Sequence, residues 1–420
     1  VKYSVITFGC RVNQADSLRL EEDLRGRGGR SSPASAADLV VVNTCSVTAT
    51  ADQGARQTIR RVARENPAAR IVVTGCYATR CEDDVASLPG VLHVVRNEEK
   101  LDLVRLLERT RELPTNVRFG GGDGPCGAPL EPGVAGRTSF TLRVQTGCEE
   151  RCSYCIIPRT RGRGRSLAIA DVLREIERAG GSGYKEVAIT GVHLGSYGRD
   201  LVPRSTLVDL LRALSSAPDD VTFRISSLEP MDCTPELVDM VASSDGRFAP
   251  HFHLPLQHAS DRLLNQMRRP YTLDHYRRLV DGIVERLPHA SIGSDVIVGF
   301  PGETDDDFQL NADYLTGSPL SHLHVFPYSD RPGTEAASMN DKVPGPMTRA
   351  RGARVREIGA ALMERFQASQ AGSVRPGLTL EDGTLVVTDN YLKVRIPAGH
   401  SRNERVRVRL TGTGTAVVVG

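Results

Sequence analysis

Six short apolar runs recur between residues 139 and 326, at 139–145, 186–190, 222–226, 251–256, 292–298 and 322–326, and enough chain separates each from the next for a crossover helix. Amphipathic stretches at 170–179, 207–214, 235–241 and 273–286 fill four of those gaps. Strands joined through helices pair in parallel, and repetition of the unit curls the sheet into a (β/α) barrel or partial barrel. Chemistry in such a fold sits at the C-terminal ends of the strands.

The flanking chain reads differently, and the whole is an α/β multidomain protein; 420 residues is too long for one ordinary core. Residues 1–115 alternate β runs at 3–8, 39–43 and 71–74 with stretches of helical length, the pattern of an open α/β domain. Residues 116–136 are rich in Gly and Pro, a linker composition. The barrel then occupies 137–345. Residues 346–371 mix Arg and Glu with apolar residues at helical spacing and read as a connecting helix. From 372 to 420, alternating segments at 378–380, 385–388, 392–396, 405–410 and 416–419 are separated by turn residues, which predicts a small β-barrel.

No run approaches the roughly 18 apolar residues of a membrane span, and residues 1–8 enter a strand pattern with no basic leader, so a cytoplasmic protein away from membranes is expected. With 53 basic and 51 acidic residues, a nucleic-acid surface has to come from local clustering. Nine cysteines in such a compartment argue for metal or redox chemistry over disulfides.

Cys148, Cys152 and Cys155 form a C-x-x-x-C-x-x-C loop directly after the first barrel strand. Three thiolates on so short a loop can hold three corners of a four-iron cubane and leave one iron open for a small molecule. The competing reading, a structural zinc knuckle, lacks a nearby fourth ligand. Cys10, Cys45 and Cys76 each end a predicted strand of the first domain, where an open parallel sheet gathers ligands, so a second three-cysteine site is plausible; simple core packing is the alternative. Small neighbours (Gly9, Thr44, Gly75) would let the backbone bend around an inorganic ligand. Cys81 is a rival ligand inside a predicted helix start, whereas Cys126 and Cys233 have no partners at useful spacing.

These motifs resemble the methylthiotransferase family of radical S-adenosylmethionine (SAM) enzymes across essentially the whole chain. The first domain is similar through residues 7–14, 43–48 and 74–77, where Cys10, Cys45 and Cys76 match the family's auxiliary-cluster ligands. Residues 190–198, 224–230 and 324–329 look most like the MtaB-type branch. The resemblance implies a tRNA substrate, N6-threonylcarbamoyladenosine beside the anticodon, methylthiolated at C2. It further implies two [4Fe-4S] clusters, two molecules of SAM, and an electron donor such as flavodoxin or ferredoxin. One SAM would supply a methyl group to sulfur at the auxiliary cluster, and the other would be cleaved reductively to a 5′-deoxyadenosyl radical. The alternatives are isopentenyladenosine in tRNA, an aspartate of a ribosomal protein, or a non-catalytic iron–sulfur RNA-binding protein. Thr146 and Arg151 depart from the family pattern without touching a ligand.

SAM contacts are expected from the family's aromatic beside the last cysteine, for which a core tyrosine is the alternative, and from residues placed near strand ends. Tyr154 would shield the cluster and pack on adenine, and Gly191, Ser227, Glu229, Gln257 and Gly299 lie near strand ends. Residues 295–303 resemble the family's fifth-strand motif, in which Gly299 would let the backbone approach the nucleoside. Arg159, Arg161, Arg163 and Arg165 alternate after the cluster loop and suit RNA phosphates, or a solvated basic loop. The C-terminal segment resembles a TRAM domain, with Lys393, Arg395, Arg402, Arg405, Arg407 and Arg409 as its RNA-facing charge.

Overall fold

The computed structural model describes residues 1–109, 138–217 and 220–419. The Gly- and Pro-rich linker, Cys126 and the boundaries proposed at 115 and 137 lie outside the described residues.

The first unit is a three-layer α/β sandwich. Its strands are β1 (Lys2–Thr7), β2 (Arg30–Ser31), β3 (Leu39–Thr44), β4 (Arg70–Gly75) and β5 (Val91–Val95), all parallel and ordered β2-β1-β3-β4-β5. β3 reads Leu-Val-Val-Val-Asn-Thr and is buried throughout, as a central strand covered on both faces must be. Leu39 and Val41 pack toward α1 (Arg11–Gly26) and α5 (Leu103–Arg109). Val40 and Val42 pack toward α2 (Ala49–Glu65), α3 (Cys76–Arg80) and α4 (Glu82–Ala86). Three strands stand where the sequence pattern predicts them; β2 and β5 are additions the pattern does not announce.

The second unit carries six parallel strands: β6 (Phe140–Arg143), β9 (Glu186–Thr190), β10 (Thr222–Ile225), β11 (His251–His253), β12 (Ser291–Val298) and β13 (His322–Pro327). A two-stranded ribbon, β7 (Gln145–Thr146) with β8 (Arg165–Ser166), brackets the cysteine loop and the short helix α6 (Ile157–Arg161). The six strands form two sheets, β6-β9-β10 and β11-β12-β13. A Phe223–Phe248 bridge and a hydrogen bond from Leu228 N–H to the His253 carbonyl (2.9 Å) join them. Among the described residues β13 does not pair with β6, so the barrel is partial. Outside it lie α7 (Ile169–Gly181), α8 (Leu207–Ser215), α9 (Pro235–Ala242), α10 (Asp261–Gln266), α11 (Leu273–Arg286) and α12 (Asp305–Gly317). Ile292, Val296 and Val298 of β12 face Tyr276, Val280 and Leu315 of these helices in one apolar core, so the alternate residues Gly293, Asp295 and Ile297 face the lumen.

Helix α13 (Gly345–Ser369) leads to a closed five-stranded barrel of β14 (Val374–Leu380), β15 (Leu385–Thr388), β16 (Lys393–Arg395), β17 (Arg405–Gly412) and β18 (Thr415–Val419), ordered β14-β15-β16-β18-β17. Valines 406 and 408 point inward and arginines 405, 407 and 409 outward, the strict alternation of a small barrel wall. This barrel docks against the N-terminal ends of β9 to β11. Arg224, 1% exposed, donates to the Asp389 carbonyl (2.8 Å) and pairs with Glu186. The Tyr391 ring lies 4.5 Å from that of His251, and its hydroxyl accepts from Arg11 (2.9 Å). Among the described residues no helix is long and apolar enough to cross a membrane.

Candidate active site

Cys10 follows β1, Cys45 follows β3, and Cys76 opens α3 directly after β4. Since β1, β3 and β4 are adjacent and parallel, the three thiols gather on one sheet edge, where the strand order reverses and open α/β sheets bind ligands. Gly9 records how closely they approach. With φ at +90°, a Cβ on it would lie 2.4 Å from Cys45 Sγ, so the turn passes Cys45 only as glycine. Cys81 instead caps α3 and packs on the apolar cluster of Tyr77 and Val85, and Cys233 is buried in the barrel core.

The second set faces this edge. Cys148 N–H donates to the Gly162 carbonyl (3.0 Å), and Ser153 N–H to that of Met267 (3.1 Å), which fixes the loop against the barrel rim. Two cationic groups that sequence reasoning misses attend it. Arg269 is 7% exposed, donates to Cys152 Sγ at 3.1 Å and pairs with Glu229. His193 Nδ1 stands 4.0 Å from Cys148 Sγ while Nε2 stands 2.8 Å from Asp232. Burial disfavours the His193 charge, yet Asp232 and the Cys148 thiol outweigh it and push its pKa up to about 9. Burial pushes the Cys155 thiol up to about 12, so a metal binding there has to displace a proton.

A buried polar network joins the two sets. Arg161, at the end of α6, donates to Asn13 Oδ1 (2.6 Å) and pairs with Asp16 Oδ2 (3.2 Å) on α1. Lys100 and Arg143 reach the same carboxylate at 3.0 and 2.7 Å. Asn97 donates to the Thr160 carbonyl (2.8 Å) and faces Cys76 Sγ at 3.6 Å. One carboxylate therefore opposes three cations, a buried surplus of positive charge beside Cys76. Burial raises the Cys76 thiol, but Arg161 and Lys100 overcome it and lower its pKa. Asn13 and Asp16, polar residues on the buried face of α1, are the available sequence signal. Three soft thiols with a buried cation alongside fit an anionic three-cysteine iron–sulfur cluster better than four-coordinate structural zinc.

The uncharacterized protein family UPF0004 matches residues 2–96, and the radical SAM superfamily matches residues 142–315. The threonylcarbamoyladenosine tRNA methylthiotransferase MtaB of Aquifex aeolicus is 34% identical over 97% of this chain and 100% of its own length. The chain belongs to the MtaB-type methylthiotransferase family. A tRNA-2-methylthio-N(6)-dimethylallyladenosine synthase of Syntrophomonas wolfei is also 34% identical, over 82% of this chain and 78% of its own. In fold, the methylthiotransferase resembles the radical SAM methyltransferase TsrM of Kitasatospora setae, with a TM-score of 0.57, 18% identity, and 80% and 76% of the two chains covered. As a radical SAM enzyme, this methylthiotransferase uses SAM and an iron–sulfur cluster.

The remaining residues singled out in the methylthiotransferase sequence divide. Gly191, Ser227, Glu229 and Gln257 stand at the C-terminal rim, Gly191 against Gln145 and Gln257 with its backbone bridged to β12. Tyr154 packs with Ile297, Phe300 and Phe326. Gly299 also lies at the rim, but the close approach that requires glycine comes from Thr348 of α13: a Cβ there would lie 2.3 Å from Thr348 Oγ1. Thr348 thus accounts for the glycine by itself, and a nucleoside contact at Gly299 stays a proposal. Arg163 and Arg165 are exposed, as is Arg159, whose guanidinium lies over Gly333. Arg161, expected at RNA, is instead 3% exposed and bonded within the protein to Asn13 and Asp16. Lys393, Arg395 and Arg407 are exposed on strands flanking β18, and Arg402 and Arg409 donate to the Glu381 and Gly372 carbonyls. Arg405 departs from expectation: it donates to the Lys185 (3.1 Å) and Asp220 (2.7 Å) carbonyls and holds the small barrel to the large one.

Proposed function

We propose that this methylthiotransferase places a methylthio group on C2 of N6-threonylcarbamoyladenosine beside the anticodon of tRNA, with [4Fe-4S] clusters on Cys148, Cys152 and Cys155 and on Cys10, Cys45 and Cys76, and two molecules of SAM. The observation that carries the reading is that both three-thiol sets sit on one interface, locked together by Arg161. When bound, the clusters supply the electron for SAM cleavage and the site of sulfur methylation. The chain contributes orientation and exclusion of water. Tyr154 screens the cluster loop, Glu229 holds Arg269 beside Cys152, and Gly191, Ser227 and Gln257 line the rim where SAM's polar groups would bind. Arg163, Arg165, Lys393 and Arg395 are the exposed phosphate contacts. The working divisions are 1–115, 137–345, 346–371 and 372–420, and the setting is the cytoplasm, with a flavodoxin- or ferredoxin-like donor.

Nucleoside mass spectrometry of tRNA from cells lacking the gene tests this. Loss of 2-methylthio-N6-threonylcarbamoyladenosine, restored by the wild type and not by Cys148→Ala, is the expected result. An unchanged profile overturns it.

A further inference from the structure

The barrel lumen is layered. Nearest the cluster loop, Ile297 of β12 and Phe326 of β13 pack with Tyr154. Two residues down each strand, about 7 Å, the same face presents Asp295 and His324, which are register partners, together with His253 at the end of β11. Two residues further come Gly293 and His322, also register partners, with the His251 ring 5.9 Å from that of His322. An apolar layer next to the cluster loop thus gives way to a layer of imidazoles around one carboxylate.

That second layer is pre-arranged. His253 Nε2 and His324 Nδ1 stand 2.8 and 3.1 Å from the same Asp295 oxygen, so each faces an acceptor and serves as donor. Burial raises the Asp295 carboxyl, but these two hydrogen bonds outweigh it and keep it ionised. The carboxylate fixes the His324 ring and turns Nε2 away from itself, with 58% of the side chain exposed. His251, 4% exposed in the layer below, has neither ring nitrogen hydrogen-bonded to the described protein. Buried polar groups are ordinarily paired, so such a layer suits a partner that brings its own hydrogen bonds.

We infer that this layer, through His324 above all, selects the polar substituent on N6 of the substrate base and rejects a hydrocarbon one. The inference rests on N6-threonylcarbamoyladenosine being the substrate. Overall identity does not discriminate, since relatives named for threonylcarbamoyladenosine and for dimethylallyladenosine each match at 34%. The threonylcarbamoyl group carries amide, hydroxyl and carboxylate functions that can pair with imidazoles. A dimethylallyl group offers none and would leave the layer desolvated and unpaired. Sites built to hydrogen-bond a substituent discriminate strongly against analogues lacking it, whereas apolar pockets discriminate weakly.

The test compares wild type, His324→Phe and His324→Gln, full-length with clusters assembled anaerobically, on two anticodon stem-loops, one bearing N6-threonylcarbamoyladenosine and one dimethylallyladenosine. For His324→Phe we expect kcat/KM on the first to fall roughly tenfold or more, chiefly through KM, and the ratio of second to first to rise. His324→Gln, which retains a hydrogen-bonding end, should keep most of the preference. Substrate-independent 5′-deoxyadenosine formation should be equal in all three, which shows the radical machinery intact. Equal losses on both stem-loops, or no loss on the first, overturn the inference. A wild type that prefers dimethylallyladenosine overturns the substrate reading itself, before any variant is compared.

Discussion

Arg161 and Asp16 meet across the interface between the first unit and the barrel, Nη2 to Oδ2 at 3.2 Å with both side chains buried. Arg161 lies six residues beyond Cys155, and Asp16 six beyond Cys10. The pair therefore sets the spacing of the two thiol sets. Removing Arg161 leaves Asp16 facing Lys100 and Arg143, but it takes the donor from the buried Asn13 Oδ1, and an orphaned buried acceptor costs about 1–3 kcal/mol. Arg161→Met should lower the melting temperature and lose iron from the Cys10, Cys45 and Cys76 set first, with Arg161→Lys intermediate. Iron analysis and electron paramagnetic resonance alongside thermal unfolding read this directly, and a variant with wild-type melting and full iron sinks it.

The two thiol sets should separate functionally. Cys148→Ala should abolish 5′-deoxyadenosine formation, while Cys45→Ala should keep it and lose methylthiolation. Each variant should retain roughly four iron atoms per chain instead of about eight. Quantified 5′-deoxyadenosine, modified nucleoside and iron on the same preparations decide it; loss of SAM cleavage in Cys45→Ala would contradict the division.

Exposed and engaged arginines should behave differently toward RNA. Arg163→Ala, Arg165→Ala, Lys393→Ala and Arg395→Ala should each weaken tRNA binding and reduce the slope of log affinity against log salt by somewhat under one unit, about 0.7–0.9 for each phosphate no longer neutralised. Arg405→Ala should chiefly lower stability, because its guanidinium holds barrel carbonyls at 2.7 and 3.1 Å. Binding titrations at three salt concentrations separate the classes. A full phosphate-sized slope change for Arg405→Ala would reverse its assignment.

Acid should weaken the interface. Burial alone would raise the Asp16 carboxyl, but Lys100, Arg143 and Arg161 outweigh it and hold it well below its ordinary 3.8. A carboxylate depressed by folding adds stability above its unfolded value and loses it as pH falls toward the folded one. Unfolding free energy should therefore decline below about pH 4, and Asp16→Asn should flatten the decline. Urea midpoints between about pH 6 and pH 3 measure it; an identical acid slope in the variant excludes Asp16 as the cause.

The periodic parts of the fold are legible in the sequence. Apolar spacing predicts α11 at residues 273–286 and β15 at 385–388, which are the bounds the structure gives, because that spacing is regular. β2 has only two residues, and α12 opens on three aspartates with a weak apolar stripe, so neither announces itself. Arg161 and Arg405 look like RNA contacts in the sequence because a charged residue reads as solvated until its partner is known. Those partners lie 145 and 220 residues away. The histidine layer is hidden for the same reason: His253, Asp295 and His324 belong to three strands and become neighbours only when β11, β12 and β13 pair side by side.

The hydrogen bond between Arg11 and Tyr391 spans 380 residues and ties the turn that carries Cys10 to the small terminal barrel. A ribosome therefore emits the first of these residues long before the second. The Cys10 turn, held locally by Asn13, gains this further bond only after all of the intervening polypeptide has emerged. Premature termination anywhere upstream of Tyr391 yields a protein whose Cys10 turn lacks this tether.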